Sequence, residues 1–180
     1  MRTTLDWNLV VTARSGRRND LVHALRPIVK LRRAGFPDVS IGRAADVEEC
    51  LTAIAARADR MLATEVLARV VPVTRTFVVD ADALERQLVA ETAACVDALV
   101  GRSFHVRVER RGQKPMARSD VLERRLGTAL VEALDARGGA PRVTFDDPDV
   151  IVAVELIGPV CGIGVVERDL RRRFPFVRVC

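Results

Sequence analysis

Hydrophobic and polar residues alternate in the strongest pattern of the chain, which begins near residue 103. Phe104, Val106 and Val108 fall on one side of the alternation, and the intervening residues are polar or charged. Because the side chains of a strand point alternately to its two faces, this period of two predicts a half-buried β-strand. One face should pack in a core and the other should meet solvent.

The period changes to that of a helix after residue 118. Ser119 can cap the first turn, and the leucines that follow recur every four residues on one face. These leucines are Leu122, Leu126, Leu130 and Leu134. Residues 150–157 are then almost continuously apolar, which predicts a central strand covered on both faces. Residues 162–166 predict its hairpin partner.

The first part of the chain shows a shorter alternation of strands and helices. Strands are predicted in three places, at residues 7–13, 39–42 and 66–79. One helix should begin near Asn19, with an apolar stripe that reaches Leu31, but Pro27 lies inside that stripe and should kink or split the helix. Another helix should follow Asp46. Strands and helices that alternate in so short a segment indicate a small α+β layer, and a ferredoxin-like arrangement fits their order.

These patterns together predict an α+β protein in two parts. A ferredoxin-like N-terminal domain would occupy residues 1–79, packed on an α/β domain at residues 80–180. A long helix should open the second part, capped by Asp80 or Asp82 and ended by Gly101. No flexible linker marks the boundary between the two parts.

The charge of the chain favours an acidic partner such as nucleic acid. The net charge is +5, the calculated pI is about 9.6, and only Lys30 and Lys114 among the cations are lysines. Half of the residues are hydrophobic, which excludes a disordered chain. Aromatic residues are few and tyrosine is absent, so an open aromatic platform for stacking bases is not expected. Recognition of phosphates and of shape would have to dominate.

A group of cations at the end of the alternating strand is the candidate binding site. Gly112 and Pro115 forbid regular structure there, so the strand should run into a cationic turn. Guanidinium groups on a rigid strand end suit phosphate, because each offers several fixed donors per charge. The main candidates are Arg107, Arg110, Arg111 and Lys114, and the weaker ones are Arg102 and Arg75. The alternative is a solvated charged face, which is what most charge runs are.

Other motifs do not indicate catalysis or a resident cofactor. Asp146, Asp147 and Asp149 surround a proline at the entry to a strand, which favours a turn over a metal site. The glycines within residues 161–166 lack the rest of a dinucleotide fingerprint. Glu155 lies in an apolar strand and needs a partner, for which a structural ion pair is favoured over acid–base catalysis. No set of residues suggests a nucleophile, so we expect no enzyme activity, no cofactor and no metal.

The expected compartment is the cytoplasm. The opening residues MRTTLDWNLVV have no charged-then-apolar signal, and no apolar run is long enough to cross a bilayer. The four cysteines are widely spaced and form no CxxC pair, so they are interpreted as reduced thiols. A membrane partner is not expected.

The C-terminal half resembles the THUMP domain family. SFHVRVERRG, then LERRLGTAL, then FDDPDVIVAVELIG follow one another in the order of that domain. The resemblance covers about residues 80–180, with its distinctive residues in 103–157. THUMP domains are RNA-binding modules of 4-thiouridine synthetases, tRNA methyltransferases, some pseudouridine synthases and the adapters of tRNA cytidine acetyltransferase. A ferredoxin-like domain usually precedes the module, and RVVPVTRTF (residues 69–77) is similar to the segment that joins the two in the acetylation adapters.

The resemblance implies that the chain binds tRNA at its acceptor end, or another structured RNA. The sequence carries neither the P-loop-type motif nor the methyltransferase glycine loop of the family's enzymes. The expected role is therefore a non-catalytic adapter in tRNA modification that works with a separate enzyme. One alternative is a protein-interaction scaffold that keeps the fold. A small hydrolase on the ferredoxin-like half is a third possibility, disfavoured because no nucleophile set is visible.

Overall fold

The computed structural model of the chain describes residues 5–57, 66–112 and 118–179. In chain order, the helices and strands within these ranges are β1 (Leu9–Ala13), α1 (Arg18–Leu25), β2 (Leu31–Arg33), β3 (Val39–Gly42), α2 (Val47–Arg57), β4 (Leu67–Pro72), β5 (Arg75–Val78), α3 (Leu84–Thr92), α4 (Val96–Leu99), β6 (Ser103–Arg111), α5 (Ser119–Asp135), β7 (Arg142–Val143), β8 (Val150–Ile157), β9 (Val160–Glu167) and α6 (Arg168–Arg173). A single 3-10 turn, Ala93–Cys95, joins α3 to α4. The protein thus mixes helices and strands in two sheets, which confirms the predicted α+β class.

The first sheet has the strand order β2-β3-β1-β4, and each neighbouring pair is antiparallel. With α1 and α2 between the strands, the chain order is β-α-β-β-α-β, which is the ferredoxin-like arrangement. The helices bury their apolar stripes in the core on this sheet, among them Leu21 and Leu25 from α1 and Leu51 and Ile54 from α2.

The second sheet has the order β5-β9-β8-β6-β7. Strand β8 pairs in parallel with β6 and antiparallel with β9, as the hairpin prediction required. All eight residues of β8 are buried, which confirms that both of its faces are covered. The four predicted leucines of α5 are buried against one face of this sheet. The other face meets the core of the first sheet through Ile151, Ala153 and Ile157.

Two of the predicted helices are interrupted. Helix α1 ends at Leu25, and Leu31 lies in β2, which agrees with the break expected at Pro27. Proline has no N–H to donate and clashes with a preceding carbonyl in a continuing helix. The helix expected to reach Gly101 is interrupted by the 3-10 turn after Thr92, whose hydroxyl donates to the Leu88 carbonyl at 2.8 Å. Such back-bonding to the preceding turn commonly bends helices.

Strand β6 is buried more completely than its alternation predicts. Residues 103–106 are all buried, and His105 is only 5% exposed. The prediction of one solvated face was therefore wrong for this half of the strand. The reason is that β6 lies between β8 and β7, and the segment after β7 folds over His105, where Phe145 stacks on the imidazole. From Arg107 onward every residue of the strand except Val108 is partly exposed.

Two glycines of β9 let the sheets approach closely. A Cβ at Gly162 would lie 2.5 Å from the ring of Trp7, and one at Gly164 would lie 2.1 Å from the carbonyl oxygen of Pro72. Real Cβ atoms are not found so close to other heavy atoms, so only glycine fits these positions without movement. The sequence showed that these glycines are no dinucleotide motif, but it gave no sign that they are the contact between the two sheets.

The chain crosses from one sheet to the other more than once. Strand β5 pairs with β9 in the second sheet, although its residues precede the predicted boundary at residue 79. At the other end, the Val70 N–H donates to the Phe176 carbonyl at 2.8 Å, and Phe174, Phe176 and Val177 join the core on the first sheet. The division at 79/80 stays a prediction.

Two expectations from composition concern cysteines and membranes. Cys50, Cys95 and Cys161 are buried and unbridged, and burial raises the pKa of the Cys95 thiol to about 11. Along the ranges that the structure describes, no helix combines the length and the apolar character needed to cross a bilayer.

Candidate nucleic-acid interface

Arg107 presents its guanidinium where the exposed half of β6 begins. The side chain is 35% exposed and lies 3.5 Å from the Glu123 carboxylate on α5. The guanidinium carbon also stands 5.9 Å from the centre of the Phe145 ring, within cation–π range. A charge that is held in place but still reaches solvent is suited to contact a phosphate.

Arg111 lies in a different environment from the exposed turn that the sequence predicts. Its side chain is only 10% exposed, and Nη1 is 2.5 Å from Glu155 Oε2 in the middle of β8. Burial raises the pKa of the Glu155 carboxyl, and the adjacent Arg111 guanidinium opposes that rise. The expectation of an exposed Arg111 was therefore wrong, because this guanidinium is the partner that the buried Glu155 requires.

The Arg111–Glu155 pair belongs to a charged array between the two sheets. Glu109 lies 3.6 Å from Arg111 and 3.5 Å from Arg69, which comes from β4 in the first sheet. Arg69 is itself nearly buried. Alternating charges thus join β4, β6 and β8, so these cations and anions hold the sheets in register and are not available as a separate phosphate site.

The remaining predicted site residues do not form one cluster. Arg110 is half-buried near the end of β6, and Lys114 lies outside the described residues. Arg102 precedes β6 and pairs with Glu167 at 3.1 Å. At about 3.3 Å per residue, it lies roughly 30 Å from the far end of the strand. Arg75 lies on the opposite edge strand, β5, and pairs with Glu91 at 3.1 Å.

A groove beside β6 was not foreseen from the sequence. Strand β7 pairs with only the first two residues of β6, so the rest of that edge faces α5 across a groove of about 410 Å³. Phe145 stands at its border with 69% of its surface exposed. Nothing in the local sequence around Phe145 marks the groove, because its two walls come from elements that are distant in sequence.

His105 supports Phe145 from below. The two rings stack with centroids 5.2 Å apart and an angle of 23° between their planes. Nδ1 of the imidazole is 2.8 Å from the Thr144 carbonyl, and burial lowers the pKa of His105. A neutral imidazole that donates from Nδ1 fits this contact. The residue is therefore a structural support beneath the exposed ring.

A second cationic surface lies on the first sheet, between α1 and the edge strand β2. Its groove, of about 450 Å³, is lined by Arg18, His23, Arg26 and Arg33, and none of the described residues in its wall is a carboxylate. Within the described part of the chain, no carboxylate forms a salt bridge with these three arginines. Unneutralised cations along one groove produce a positive potential that attracts polyanions. The sequence pattern did not single out these residues, because they lie on α1, directly after it, and on β2.

The Asp-Pro-Asp turn is an ion-pair network. Asp149 accepts hydrogen bonds from both the backbone N–H and the hydroxyl of Ser103, each at 2.7 Å, and these bonds lower the pKa of Asp149 to about 2. Arg168 of α6 pairs with Asp149 at 2.7 Å and with Asp147 at 3.2 Å. The carboxylates thus anchor α6 and the start of β6.

The comparison with known families decides the identity of this fold. Residues 78–166 match the model of the THUMP domain. The chain contains a THUMP domain. Its matched part begins at the end of β5 and stops at the end of β9, so it includes β6, α5 and the groove between them. The second cationic surface lies outside it, on the ferredoxin-like half.

Solved structures share both halves of this architecture. TrmN from Thermus thermophilus is 26% identical, with a TM-score of 0.64 over 93% of this chain and 48% of TrmN. PH1313 from Pyrococcus horikoshii is 12% identical, with a TM-score of 0.58 over 88% of this chain and 54% of that one. A 4-thiouridine synthetase in complex with RNA and ATP is 14% identical, with a TM-score of 0.53 over 89% and 41%.

The chain spans about half the length of the solved structures that it matches. No curated protein matches it significantly. The THUMP domain is an RNA-binding module, and a similar solved structure holds RNA. RNA binding in the context of tRNA modification is accordingly the functional class that the domain supports.

Proposed function

We propose that this chain binds tRNA, or an RNA stem with a single-stranded 3′ end, and acts as a non-catalytic adapter for a separate tRNA-modifying enzyme. The observation that carries the proposal is the THUMP domain, with the Arg107 guanidinium held at the border of the groove between β6 and α5. The cations of the ferredoxin-like half extend the surface available to the RNA.

A contact between the two halves places the two groups of cations on neighbouring parts of the molecule. The Phe36 ring, in the β2–β3 loop, packs on the turn after β6, where a Cβ at Gly112 would lie 2.7 Å from it. Gly112 has a positive φ of 79°. Arg33 lies three residues before Phe36 in the chain, and Arg110 lies two residues before Gly112. One RNA molecule can therefore contact both groups without any change in the arrangement of the sheets.

The proposed preference for RNA follows from the kinds of contact that this surface can make. Guanidinium groups and a shallow groove read phosphates, hydroxyls and shape, and A-form RNA displays its 2′-hydroxyls on a wide minor groove. Double-stranded DNA has neither those hydroxyls nor that groove shape. Affinity for duplex DNA should therefore be the weaker, salt-sensitive binding that charge alone provides.

The test is a competition assay at fixed salt concentration, in which the fluorescence anisotropy of labelled tRNA reports how much of it is bound. Unlabelled tRNA should displace the probe at much lower concentration than duplex DNA of equal length, and equal competition by DNA would overturn the proposal. The double variant Arg110→Gln/Lys114→Gln tests the predicted site. Each lost phosphate contact should flatten the slope of log affinity against log salt by about 0.7 to 0.9. Arg137→Gln, which removes an exposed charge at the end of α5, is the matched control.

The adapter role is supported by the partners of three ionisable groups. Glu155 is engaged by Arg111, Asp149 by Ser103, and His105 by the Thr144 carbonyl, so each serves a structural contact. Chemistry on the RNA would then come from the partner enzyme, and the adapter would raise the local concentration of tRNA and fix its orientation.

Deleting the gene and profiling tRNA nucleosides by mass spectrometry tests this role. Loss of one modified nucleoside, restored by the wild-type gene, is the expected result. An unchanged profile under several growth conditions would contradict the adapter role and favour a protein-interaction scaffold. Modification of tRNA by the purified chain alone would show that it is catalytic.

A further inference from the structure

Phe145 is a large aromatic side chain that the fold supports from one side and leaves in solvent. It is 69% exposed, yet its ring stacks on His105 at 5.2 Å and lies 5.9 Å from the Arg107 guanidinium. One ring face is occupied by the imidazole, so the exposed area belongs to the rest of the ring. A supported aromatic face presented to solvent is suited to stack against another planar group.

The opposite wall of the groove has free space at Gly127. A Cβ built on this residue meets nothing within 4 Å, although it lies in the middle of the 17-residue helix α5. Glycine there destabilises the helix by about 1 kcal/mol relative to alanine. Packing within the described part of the protein gives no reason for that choice. A ligand that approaches the helix backbone closely does give one.

The charges in the groove indicate which part of a nucleotide it holds. Its wall contains two carboxylates, Asp120 and Glu123, and one guanidinium, Arg124. A wall with this mixture repels a phosphate but offers hydrogen-bond acceptors and donors to the edge of a base. The phosphate would remain outside, near Arg107. The groove volume of about 410 Å³ lies in the range of small-molecule sites, roughly 300 to 1,000 Å³.

We propose that an unpaired nucleobase of the bound RNA enters the groove between β6 and α5 and stacks on Phe145, with the edge of the base close to the helix backbone at Gly127. This inference rests on the proposed function, because it assigns one nucleotide of that RNA to a defined place. It also replaces the expectation from composition that no aromatic platform exists. One exposed phenylalanine, stacked on a histidine, is sufficient for a single base.

The experiment compares two labelled hairpins that differ only in a short single-stranded 3′ tail. The wild-type protein should bind the tailed hairpin more tightly than the blunt one. Phe145→Ala should weaken binding of the tailed hairpin by about 5- to 150-fold, the measured range for loss of one stacked base. It should leave binding of the blunt hairpin unchanged. Phe145→Tyr should retain the tail-dependent gain and Phe145→Leu should lose most of it, because stacking needs the aromatic ring.

Val78→Ala is the matched control, since this exposed apolar residue lies on β5 at the opposite edge of the same sheet. It should alter neither hairpin's affinity. A 4-thiouridine in the tail should also cross-link, on irradiation, to the peptide that contains Phe145. If the wild type binds both hairpins equally, or Phe145→Ala keeps the full tail-dependent gain, the base site is wrong although RNA binding stands. That result would leave the exposed ring to a protein partner. If no RNA binds the wild type, the proposed function itself fails.

Discussion

Removing the Arg111 guanidinium is expected to destabilise the protein strongly. The side chain is 10% exposed and lies 2.5 Å from the carboxylate of Glu155, which is itself fully buried. Arg111→Ala leaves that carboxylate without its main partner, and breaking a buried ion pair in this way costs about 3–5 kcal/mol. For a chain of this size, 1 kcal/mol lowers the melting temperature by about 2–4 °C. The melting temperature should therefore fall by roughly 6–20 °C.

The control is Arg107→Ala on the same strand. Arg107 is 35% exposed and its ion pair with Glu123 spans 3.5 Å, so its loss should cost no more than about 1 kcal/mol. The double variant Arg111→Met/Glu155→Leu should regain most of the lost stability, because it removes both buried charges. Urea and thermal unfolding, followed by circular dichroism at pH 7, measure all three.

The pH dependence supplies an independent check on the same pair. In Arg111→Ala, the main group that opposes the burial-induced rise in the pKa of Glu155 is gone, and only the weaker attraction of Arg69 still lowers that pKa. A carboxyl whose pKa is higher in the folded than in the unfolded state favours folding only while protonated. The deficit of Arg111→Ala should therefore shrink as the pH falls from 7 toward 4. A loss of stability no larger than that of Arg107→Ala, at every pH, would refute a buried role for Arg111.

Three further predictions address other parts of the structure. Gly164→Ala should destabilise the protein by about 1–3 kcal/mol or more in urea unfolding, because its Cβ would press on the backbone of β4; an unchanged midpoint would mean that the sheets are not in such close contact. Stability should decrease as the pH falls from about 4 toward 2, since Asp149 has a pKa of about 2 in the folded protein and about 3.9 in the unfolded chain. In thermal melts, Asp149→Asn should be less stable than the wild type at pH 7, and its melting temperature should change less as the pH is lowered. Arg18→Gln/Arg33→Gln should weaken tRNA binding and flatten its salt slope by about 0.7 to 0.9 per lost contact, without changing the melting temperature; an unchanged slope would exclude the ferredoxin-like half from the RNA contact.

The fold was largely predictable because local sequence patterns specify most of its helices and strands. The apolar run of β8 and the four leucines of α5 each specify an element and the face that it buries. Pro27 was equally readable from the sequence, since it was expected to kink or split the helix and α1 does end before it, at Leu25. The closeness of the sheets at Gly164 depends on residues ninety positions apart, which no local pattern reveals.

The binding surface was less predictable, because the environment of a cation is set by tertiary contacts. Arg107 and Arg111 lie on the same strand and look equivalent in sequence, yet one borders a groove and the other neutralises a buried carboxylate. Phe145 follows a short strand and precedes a turn, so nothing in its neighbourhood distinguished a supported, exposed ring from an ordinary core residue. Only the spatial position of His105 beneath it makes that distinction.

Sequencing the RNA that is cross-linked to the protein in its own cells tests the central claim most directly. The account predicts strong enrichment of tRNA over its share of total cellular RNA, and that enrichment should decline when Arg110→Gln/Lys114→Gln replaces the wild-type chain at equal abundance. Cross-linked RNA that mirrors the composition of total RNA, or that is no more abundant than in cells without the protein, would contradict it.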